Sequence, residues 1–247
     1  MHSKPVINSK SSLFLDFDGT LVPLSETPHS IHVPSFLVKL LADLHENLSG
    51  ALAIVSGRQI KTLDYFLSPL KLPSAGVHGL QRRNAYGLIK EFNAPNYDSL
   101  LIECNKLMKI YPNLLLERKK ISVALHYRRV PELEKLCIYT FQQAIRNRSE
   151  LTLLLGKFVV EIIPKGFTKG TAILEYMQEP PFKGRVPIFV GDDITDESGF
   201  EAVHSYGGDA VKVGNSPTKA HHRFNSVDEI HQWLVFNCDS LNNKENN

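Results

Sequence analysis

The amino-acid sequence predicts an α/β protein in which a parallel sheet with crossover helices forms the core and a smaller α+β domain is inserted into it. Near both ends of the chain, short apolar segments alternate with segments of helical period, which is typical of parallel strands joined by helices. In the middle, strand-like pairs separated by turn residues alternate with helical segments, which indicates an antiparallel sheet. We therefore predict a core formed by residues 1–79 and 166–247, with an inserted cap domain at residues 80–165.

The elements of the core follow from apolar periodicity and from boundary signals. The first helix, at residues 33–48, places apolar residues such as Leu37 and Leu44 on one face, and Pro34 suits its first turn. The other predicted helices of the core are residues 59–67, 168–177 and 196–203. The predicted strands of the core are residues 13–17, 50–58, 74–79, 186–193 and 209–214. The polar segment from about residue 239 is expected to be disordered.

The inserted domain is predicted from hairpin signals. It begins with a hairpin that turns at Asn84–Gly87, and two further strand pairs turn near Lys119–Lys120 and at Gly156–Lys157. Helices predicted at residues 96–111 and 131–148 separate these strand pairs. Hairpins that alternate with helices in this way predict an antiparallel sheet covered by helices.

Bulk composition excludes several classes of function. The formal net charge is +2 and the Lys and Arg residues are scattered, so the sequence lacks the basic stripe of a nucleic-acid-binding protein. The three cysteines, Cys104, Cys137 and Cys238, form no CxxC pair, which fits a reducing compartment. The sequence has no apolar run long enough to span a bilayer and no secretory signal pattern. We therefore expect a cytoplasmic monomer that acts on a small molecule, without a nucleic-acid or membrane partner.

The residues that carry chemistry lie at the ends of the predicted core strands. The segment DFDGT (16–20) ends the first strand, SGR (56–58) ends the second, and GDDITDE (191–197) ends a later one, while Lys169 precedes a helix. In an open parallel sheet, ligands bind beyond the carboxyl ends of the strands. The sequence therefore predicts a single site at this edge.

The first of these segments indicates a metal ion. Alternation along a strand puts Asp16 and Asp18 on the same side of the backbone, and two like charges so close need a cation between them. Mg²⁺ prefers oxygen ligands and usually takes one or two carboxylates together with substrate phosphate. We predict that Asp16, the backbone or side chain of Asp18, and Asp192 hold Mg²⁺. The sequence leaves open whether Asp193 or Asp196 also contacts the metal.

A carboxylate beside a metal and a phosphate can act as a nucleophile that forms an aspartyl-phosphate. Asp16 is the better candidate because it stands first at the strand end, and Asp18 is then placed to act as general acid and base. The Ser56 hydroxyl and the Lys169 ammonium are donors suited to phosphoryl oxygens. Each segment alone has a plainer interpretation, such as a turn, a calcium-type loop, an acidic helix start or a solvated lysine. Their order along one chain favours the phosphoryl-transfer site.

In that order, the four segments resemble the motifs of the haloacid-dehalogenase (HAD) superfamily of phosphatases, which have a Rossmann-like core and an inserted cap. The segments AGVHG, ALHYR, VVEIIPKGFTKG and QEPPF resemble the trehalose-6-phosphate phosphatase family within it, from about residue 13 to 235. The resemblance implies Mg²⁺-dependent hydrolysis of trehalose 6-phosphate to trehalose and phosphate through an aspartyl-phosphate. This reaction is the last step of trehalose biosynthesis.

The resemblance also implies roles for individual residues. It makes Asp16 the nucleophile, Asp18 the acid and base, and Asp192 a metal ligand, with Ser56 and Lys169 as phosphate ligands. The residues that it implies for substrate binding are Gly57, Arg58, His78, Gly79, Glu117, Lys119 and Glu161. The last three lie in the inserted domain, where the resemblance implies contacts with sugar hydroxyls. The alternative for these three is an exposed cluster of ion pairs that contributes little to stability. The roles of His126 and Arg128 stay open.

Other functions are compatible with the same core. A phosphatase for another sugar phosphate, such as sucrose phosphate, and a phosphomutase of the same fold would differ in the inserted domain. A non-catalytic module that binds a phosphosugar and regulates a partner synthase belongs to a different class. Such a module should have lost Asp16, Asp18 or Lys169, and all three are present.

Overall fold

The computed structural model describes residues 4–25, 30–93, 95–119 and 121–245. The chain divides into two compact units. One, the core unit, combines Met1–Glu91 with Thr168–Asn247, and the other, the inserted unit, is Phe92–Phe167.

Strands and helices alternate through most of the chain. The strands are β1 (Ser11–Leu15), β2 (Leu52–Val55), β3 (Ser74–Gly76), β4 (Gln81–Arg83), β5 (Ile89–Glu91), β6 (Leu115–Arg118), β7 (Val123–His126), β8 (Leu151–Gly156), β9 (Val159–Pro164), β10 (Val186–Gly191), β11 (Asp209–Val213) and β12 (His222–Phe224). The helices are α1 (Ser35–Asn47), α2 (Ile60–Phe66), α3 (Asp98–Ile110), α4 (Glu134–Ala144), α5 (Lys169–Tyr176), α6 (Glu197–Ser205) and α7 (Val227–Glu245). None of the helices in the described ranges combines the length and apolar composition that a bilayer span requires.

The core unit contains a sheet of eight strands in the order β12-β11-β10-β1-β2-β3-β4-β5. Neighbouring strands from β12 to β3 run parallel, as the sequence predicts. The chain leaves β1 toward β2 and β3, and later returns on the other side of β1 through β10 and β11. The strand order therefore reverses between β1 and β10, and such a switch point opens a crevice at the carboxyl ends of the strands. Asp16 and Asp192 follow these two strands directly.

The hairpin of β4 and β5 belongs to the large sheet. β4 pairs with β3 in antiparallel register, with Gly76 opposite Gln81, and β5 continues the sheet beyond β4. The inserted unit consequently begins at Phe92, later than the predicted residue 80. The local pattern of the segment indicates a hairpin but does not show that it pairs with β3, which is why the sequence predicts it as part of the insertion.

The inserted unit contains an antiparallel sheet in the order β6-β7-β9-β8. One side of this sheet is apolar and shares a buried cluster with α3 and α4, which includes Leu125, Ile162 and Phe141. The predicted turn between β6 and β7 is present, and the Lys119 amide donates to the Ser122 carbonyl at 3.0 Å. Lys120, the other predicted turn residue, lies outside the described residues.

The C-terminal segment is helical where the sequence predicted disorder. Helix α7 extends to Glu245, past the predicted boundary at about residue 239. Leu234, Cys238 and Leu241 recur at helical spacing and are buried. The Asn47 side-chain amide also donates to the Asn242 oxygen at 2.8 Å. Sparse apolar residues at the right spacing therefore anchor a helix whose average composition is polar.

Candidate active site

The site is organised around the loops that follow β1 and β10. Gly19, in the loop after β1, has a backbone φ of +81°, which favours glycine. A Cβ atom at this position would overlap the carboxylate of Asp192. The absence of a side chain at Gly19 therefore lets the Asp192 carboxylate pack directly against the loop that carries Asp16.

Lys169 joins two of the aspartates. It begins α5, whose start is capped by Thr168, and its side chain is only 3% exposed. The Nζ atom donates to Asp16 Oδ1 and to Asp196 Oδ1, both at 2.6 Å. Although burial lowers the pKa of Lys169, the carboxylates of Asp16 and Asp196 raise it above its ordinary value overall. The ammonium therefore stays charged and fixes the position of the Asp16 carboxylate.

Asp196 is fully engaged inside the protein. While its Oδ1 accepts from Lys169, its Oδ2 accepts from the backbone amides of Asp192 at 3.0 Å and Asp193 at 2.8 Å. A side chain on Gly191 would overlap the Asp196 carboxylate. Asp196 thus shapes the loop after β10 and holds Lys169.

Three carboxylates of the described residues, those of Asp16, Asp192 and Asp196, offer oxygen atoms that all lie within 4.8 Å of one another. When all three are ionised, the Lys169 ammonium leaves a net charge of −2 on the group. Burial raises the pKa of Asp16 well above its usual range, Lys169 offsets part of this effect, and the Asp196 and Asp192 charges add to it. The donors are hard oxygen atoms and the group of carboxylates keeps an excess of negative charge, so these residues fit Mg²⁺.

The Asp18 side chain lies outside this group of carboxylates. Its two oxygens accept from Nε and an Nη atom of Arg58, both at 2.7 Å. The predicted Mg²⁺ ligands Asp16 and Asp192 are therefore brought together, while the Asp18 carboxylate is held by an arginine. Asp193, whose role the sequence left open, accepts from the Ile194 amide through its Oδ1 and so caps the turn after it.

Ser56 stands at the end of β2 in a tightly bonded turn. It is buried, and its Oγ accepts from the Arg58 amide at 3.1 Å. The His78 amide donates to the Ser56 carbonyl at 3.0 Å, and the Val77 amide donates to the Arg58 carbonyl at 2.9 Å. These hydrogen bonds join the SGR segment to the segment after β3, so that two motifs distant in sequence, SGR and AGVHG, lie side by side.

The segment after β3 has an uncommon backbone. Val77, His78 and Gly79 all have positive φ values, of 48°, 55° and 101°, and for a β-branched valine such a value indicates strain. The His78 ring packs over Gly57, where a Cβ would come within 2.8 Å of the ring Nε2. The predicted substrate-binding residues Gly57, His78 and Gly79 are thus brought together at the carboxyl edge of the core sheet.

The inserted unit carries its own polar cluster. In the register of its sheet, Glu117 lies opposite Ala124, which in turn lies opposite Glu161. The Lys119 ammonium donates to both oxygens of Glu161 at 3.0 and 2.9 Å, and the Ser122 hydroxyl donates to the same carboxylate at 2.5 Å. Glu161 is 4% exposed. The alternative of a solvated surface ion pair is therefore wrong for Glu161 and Lys119.

His126 and Arg128, whose roles the sequence leaves open, have partners within the inserted unit. His126 Nε2 lies 2.9 Å from Glu117 Oε2. Burial raises the pKa of Glu117, but the hydrogen bond with His126 and the charge of Lys119 lower it below its ordinary value overall. Arg128 packs its guanidinium over the ring of Phe158, 5.4 Å from the centroid.

Three contributors to these clusters have no role predicted from the sequence: Gly19, Ser122 and Lys212. Gly19 was visible within DFDGT, but its contact with Asp192 depends on the fold. Ser122 gave no signal because one hydroxyl on a strand is common. Lys212 did give one, since a lysine between two valines of a buried strand is unusual, and its Nζ donates to the Asp192 backbone carbonyl at 2.6 Å.

Comparisons with known proteins show which family the chain resembles. A family model described as trehalose-phosphatase matches residues 14–229. The chain is 38% identical over 245 residues to the trehalose-6-phosphate phosphatase of Escherichia coli K12, and the aligned region covers 98% of this chain and 92% of that protein. It is also 38% identical over 208 residues to a probable trehalose-phosphate phosphatase of Sinorhizobium fredii, covering 82% and 77%. A solved structure described as a trehalose-6-phosphate phosphatase related protein has a TM-score of 0.76 at 26% identity and covers 94% of this chain and 99% of that one.

Proposed function

The chain belongs to the trehalose-phosphatase family, and on that ground we propose that it hydrolyses trehalose 6-phosphate to trehalose and phosphate. This reaction completes trehalose biosynthesis. The observation that carries the proposal is the Asp16 carboxylate at the end of the central strand β1. It is held by the Lys169 ammonium at 2.6 Å and grouped with Asp192 and Asp196.

In the proposed reaction, Asp16 is the nucleophile. One of its oxygens attacks phosphorus and the bond between phosphorus and the sugar oxygen breaks, while Asp18, as general acid, gives a proton to that oxygen. A water molecule then attacks the aspartyl-phosphate at phosphorus, and Asp18 takes up a proton from the water. Phosphate leaves, and Asp16 and Asp18 return to their starting states.

Lys169 and Ser56 orient the phosphoryl group. The Lys169 ammonium has three N–H donors, and two of them are used by Asp16 and Asp196, which leaves the third for a phosphoryl oxygen. The Ser56 hydroxyl supplies another donor. The proposed substrate-binding residues at the same edge of the sheet are Gly57, Arg58, His78 and Gly79. Arg58 also orients the Asp18 carboxylate through the hydrogen bonds that it donates to it.

Mg²⁺ is the proposed cofactor. Asp16, Asp192 and the backbone carbonyl of Asp18 would hold it, and when bound it would neutralise phosphate charge and orient the phosphoryl group. The net charge of the carboxylate group and the raised pKa of Asp16 support this proposal. Asp196 supports the ligands, since both of its oxygens already accept hydrogen bonds.

The inserted unit is proposed to supply sugar specificity. Glu117, Lys119 and Glu161 offer carboxylate and ammonium groups suited to sugar hydroxyls, and the sheet register places Glu117 and Glu161 on either side of Ala124. We also propose a cytoplasmic monomer. The three free, buried cysteines support a reducing compartment, and light scattering with cell fractionation tests both statements.

The test is phosphate release from a panel of sugar phosphates, with and without Mg²⁺. We expect trehalose 6-phosphate to be the preferred substrate, well ahead of sucrose 6-phosphate and glucose 6-phosphate. Preference for another member of the panel would reassign the substrate, and no release from any member would favour the regulatory module. In the Asp18→Asn variant, trapping of phosphate on the protein would support the two-step route.

A further inference from the structure

Lys212 is a buried cation that the proposed reaction does not use. It lies in β11, where it pairs in register with Gly191 at the end of β10. Its neighbours Val211 and Val213 are buried, and Lys212 itself is 1% exposed. Burying an ammonium is costly unless it is hydrogen-bonded and its charge is balanced, so this side chain requires a specific explanation.

The partners of Lys212 are in the loop that carries Asp192. Its Nζ donates to the Asp192 carbonyl at 2.6 Å and lies 3.4 Å from the Asp193 carbonyl. The amides of these same two residues donate to Asp196 Oδ2. The carbonyl groups of residues 192 and 193 are therefore bound by Lys212 of β11, and their amide groups are bound by Asp196.

This arrangement determines where the Asp192 carboxylate is presented. Asp192 packs against Gly19, next to the loop of Asp16, and its backbone has little freedom while both sets of bonds are present. We propose that Lys212 is a positioning residue for cation binding: it fixes the Asp192 backbone, so that the Asp192 carboxylate stands ready beside Asp16. The proposal deepens the proposed function and rests on its assignment of a divalent cation to this site.

Lys212 exerts two opposed effects on a cation, and the experiment separates them. Its positive charge repels the cation, whereas its hydrogen bonds organise a ligand. The proposal states that organisation outweighs repulsion, because Asp192 contributes a charge-bearing ligand whose misplacement removes a direct bond. Loss of a residue that orients a metal ligand typically costs about 10- to 100-fold in metal affinity.

The experiment measures the binding of Mn²⁺ alone, by electron paramagnetic resonance, to the full chain without substrate. Lys212→Met keeps an unbranched side chain of nearly the same length and removes its donors, and Lys212→Gln keeps a donor without the charge. The exposed Lys183, changed to Met, is the matched control. Circular dichroism and thermal unfolding without cation establish that each variant is folded.

We expect Lys212→Met to bind Mn²⁺ at least tenfold more weakly than the wild type and Lys212→Gln to fall between them, with Lys183→Met unchanged. Binding by Lys212→Met within twofold of the wild type, or tighter, would overturn the proposal. If Lys212→Met does not fold, Lys212→Gln decides in the same way. A wild type that binds Mn²⁺ but releases no phosphate from sugar phosphates would refute the proposed function and leave this inference intact.

Discussion

Arg58 and Asp18 form a two-point ion pair in which both N···O distances are 2.7 Å. The guanidinium also lies over the rings of Phe17 and Phe66, at 5.7 and 5.1 Å from their centroids. Packing on these rings fixes the arginine, and the arginine in turn fixes the direction of the Asp18 carboxylate. Each carboxylate oxygen has a second acceptor position, so the pair orients Asp18 without preventing it from handling a proton.

We predict that Arg58→Met slows hydrolysis most for substrates with poor leaving groups. If Arg58 orients the general acid, the loss of kcat/KM for phenyl phosphate should correspond to about 1–3 kcal/mol of activation free energy. The loss for p-nitrophenyl phosphate should be clearly smaller, because its leaving group needs little protonation. Asp18→Asn should show the same dependence. Steady-state kinetics with the two aryl phosphates measures it.

The matched control is Arg83→Met. Arg83 donates two comparable hydrogen bonds, at 2.8 and 2.7 Å, to Asp64 in the same unit, so its loss should lower stability without a leaving-group effect on activity. Equal losses on both aryl phosphates for Arg58→Met would instead assign Arg58 to substrate binding, as the sequence-based interpretation has it.

Asp16→Asn should abolish turnover while the protein stays folded, because an amide is a poor nucleophile. Burial raises the pKa of Asp16 above its ordinary value of 3.8. The stability that depends on protonated Asp16 is therefore present below the unfolded pKa and is lost as pH rises through the folded pKa. Without cation, the wild type should lose stability relative to Asp16→Asn as pH rises from about 4 toward neutrality. Urea unfolding in a chelator at several pH values checks this, and a constant difference would contradict it.

The part of the site that sequence predicts is the part fixed by strand ends. Asp16 and Asp192 follow adjacent parallel strands, and Lys169 begins a helix at the same edge, so topology alone brings them together. The predicted α/β fold is confirmed, and it was predictable because short apolar strands and helical segments are local signals. The predicted family is also confirmed, and that prediction rested on short motifs in a fixed order. The separate roles of individual side chains remain predictions.

Features that depend on long-range pairing were not predictable. Nothing in the SGR segment indicates that Arg58 takes the Asp18 carboxylate, because the two residues are distant in sequence and meet only when β1 and β2 pair. The engagement of Asp196 with two backbone amides depends on the course of one loop. The burial of Glu161 requires β9 to lie between β7 and β8, a register that local patterns do not specify.

A chelator should remove activity, and Mg²⁺ should restore it. Calcium should restore little, because its larger and looser coordination shell would misplace the nucleophile relative to phosphorus. Thermal unfolding provides a readout that does not depend on catalysis: Mg²⁺ should raise the melting temperature of the wild type by mass action and leave that of Asp192→Asn nearly unchanged. Full activity in the presence of the chelator would remove the metal from the mechanism.

The cysteine thiols of the inserted unit should be unreactive in the folded protein. Burial raises the pKa of Cys104 to about 12 and that of Cys137 to about 11, and the thiolate is the reactive form. Labelling with Ellman's reagent at about pH 8 should be much slower in the native protein than in denaturant. Because both folded pKa values are raised, stability should fall as pH rises above the ordinary thiol value of 9.0. Rapid labelling of Cys104 or Cys137 in the native protein would contradict this prediction.

Substitutions in the polar cluster of the inserted unit should separate sugar recognition from stability. Glu161→Ala would remove the carboxylate that pairs with the Lys119 ammonium, which is 9% exposed, and breaking a buried pair in this way costs about 3–5 kcal/mol of stability. Glu161→Gln and Lys119→Met are therefore the informative changes, because they keep side-chain volume. Each should lower kcat/KM for trehalose 6-phosphate by an amount that corresponds to about 1–3 kcal/mol of activation free energy.

The same variants should leave p-nitrophenyl phosphate hydrolysis nearly unchanged, because that substrate has no sugar to bind. Glu117→Gln should behave likewise, and since Glu117 is half-buried and paired with His126, it should cost less stability than Glu161→Gln. Thermal unfolding of each variant separates loss of recognition from loss of fold. Equal losses on the two substrates would show that these residues support the fold or the chemistry, and no loss on either would show that they do not contact the sugar. A loss confined to trehalose 6-phosphate is expected, since the carboxylates and the ammonium are held in fixed directions by Ser122, His126 and one another.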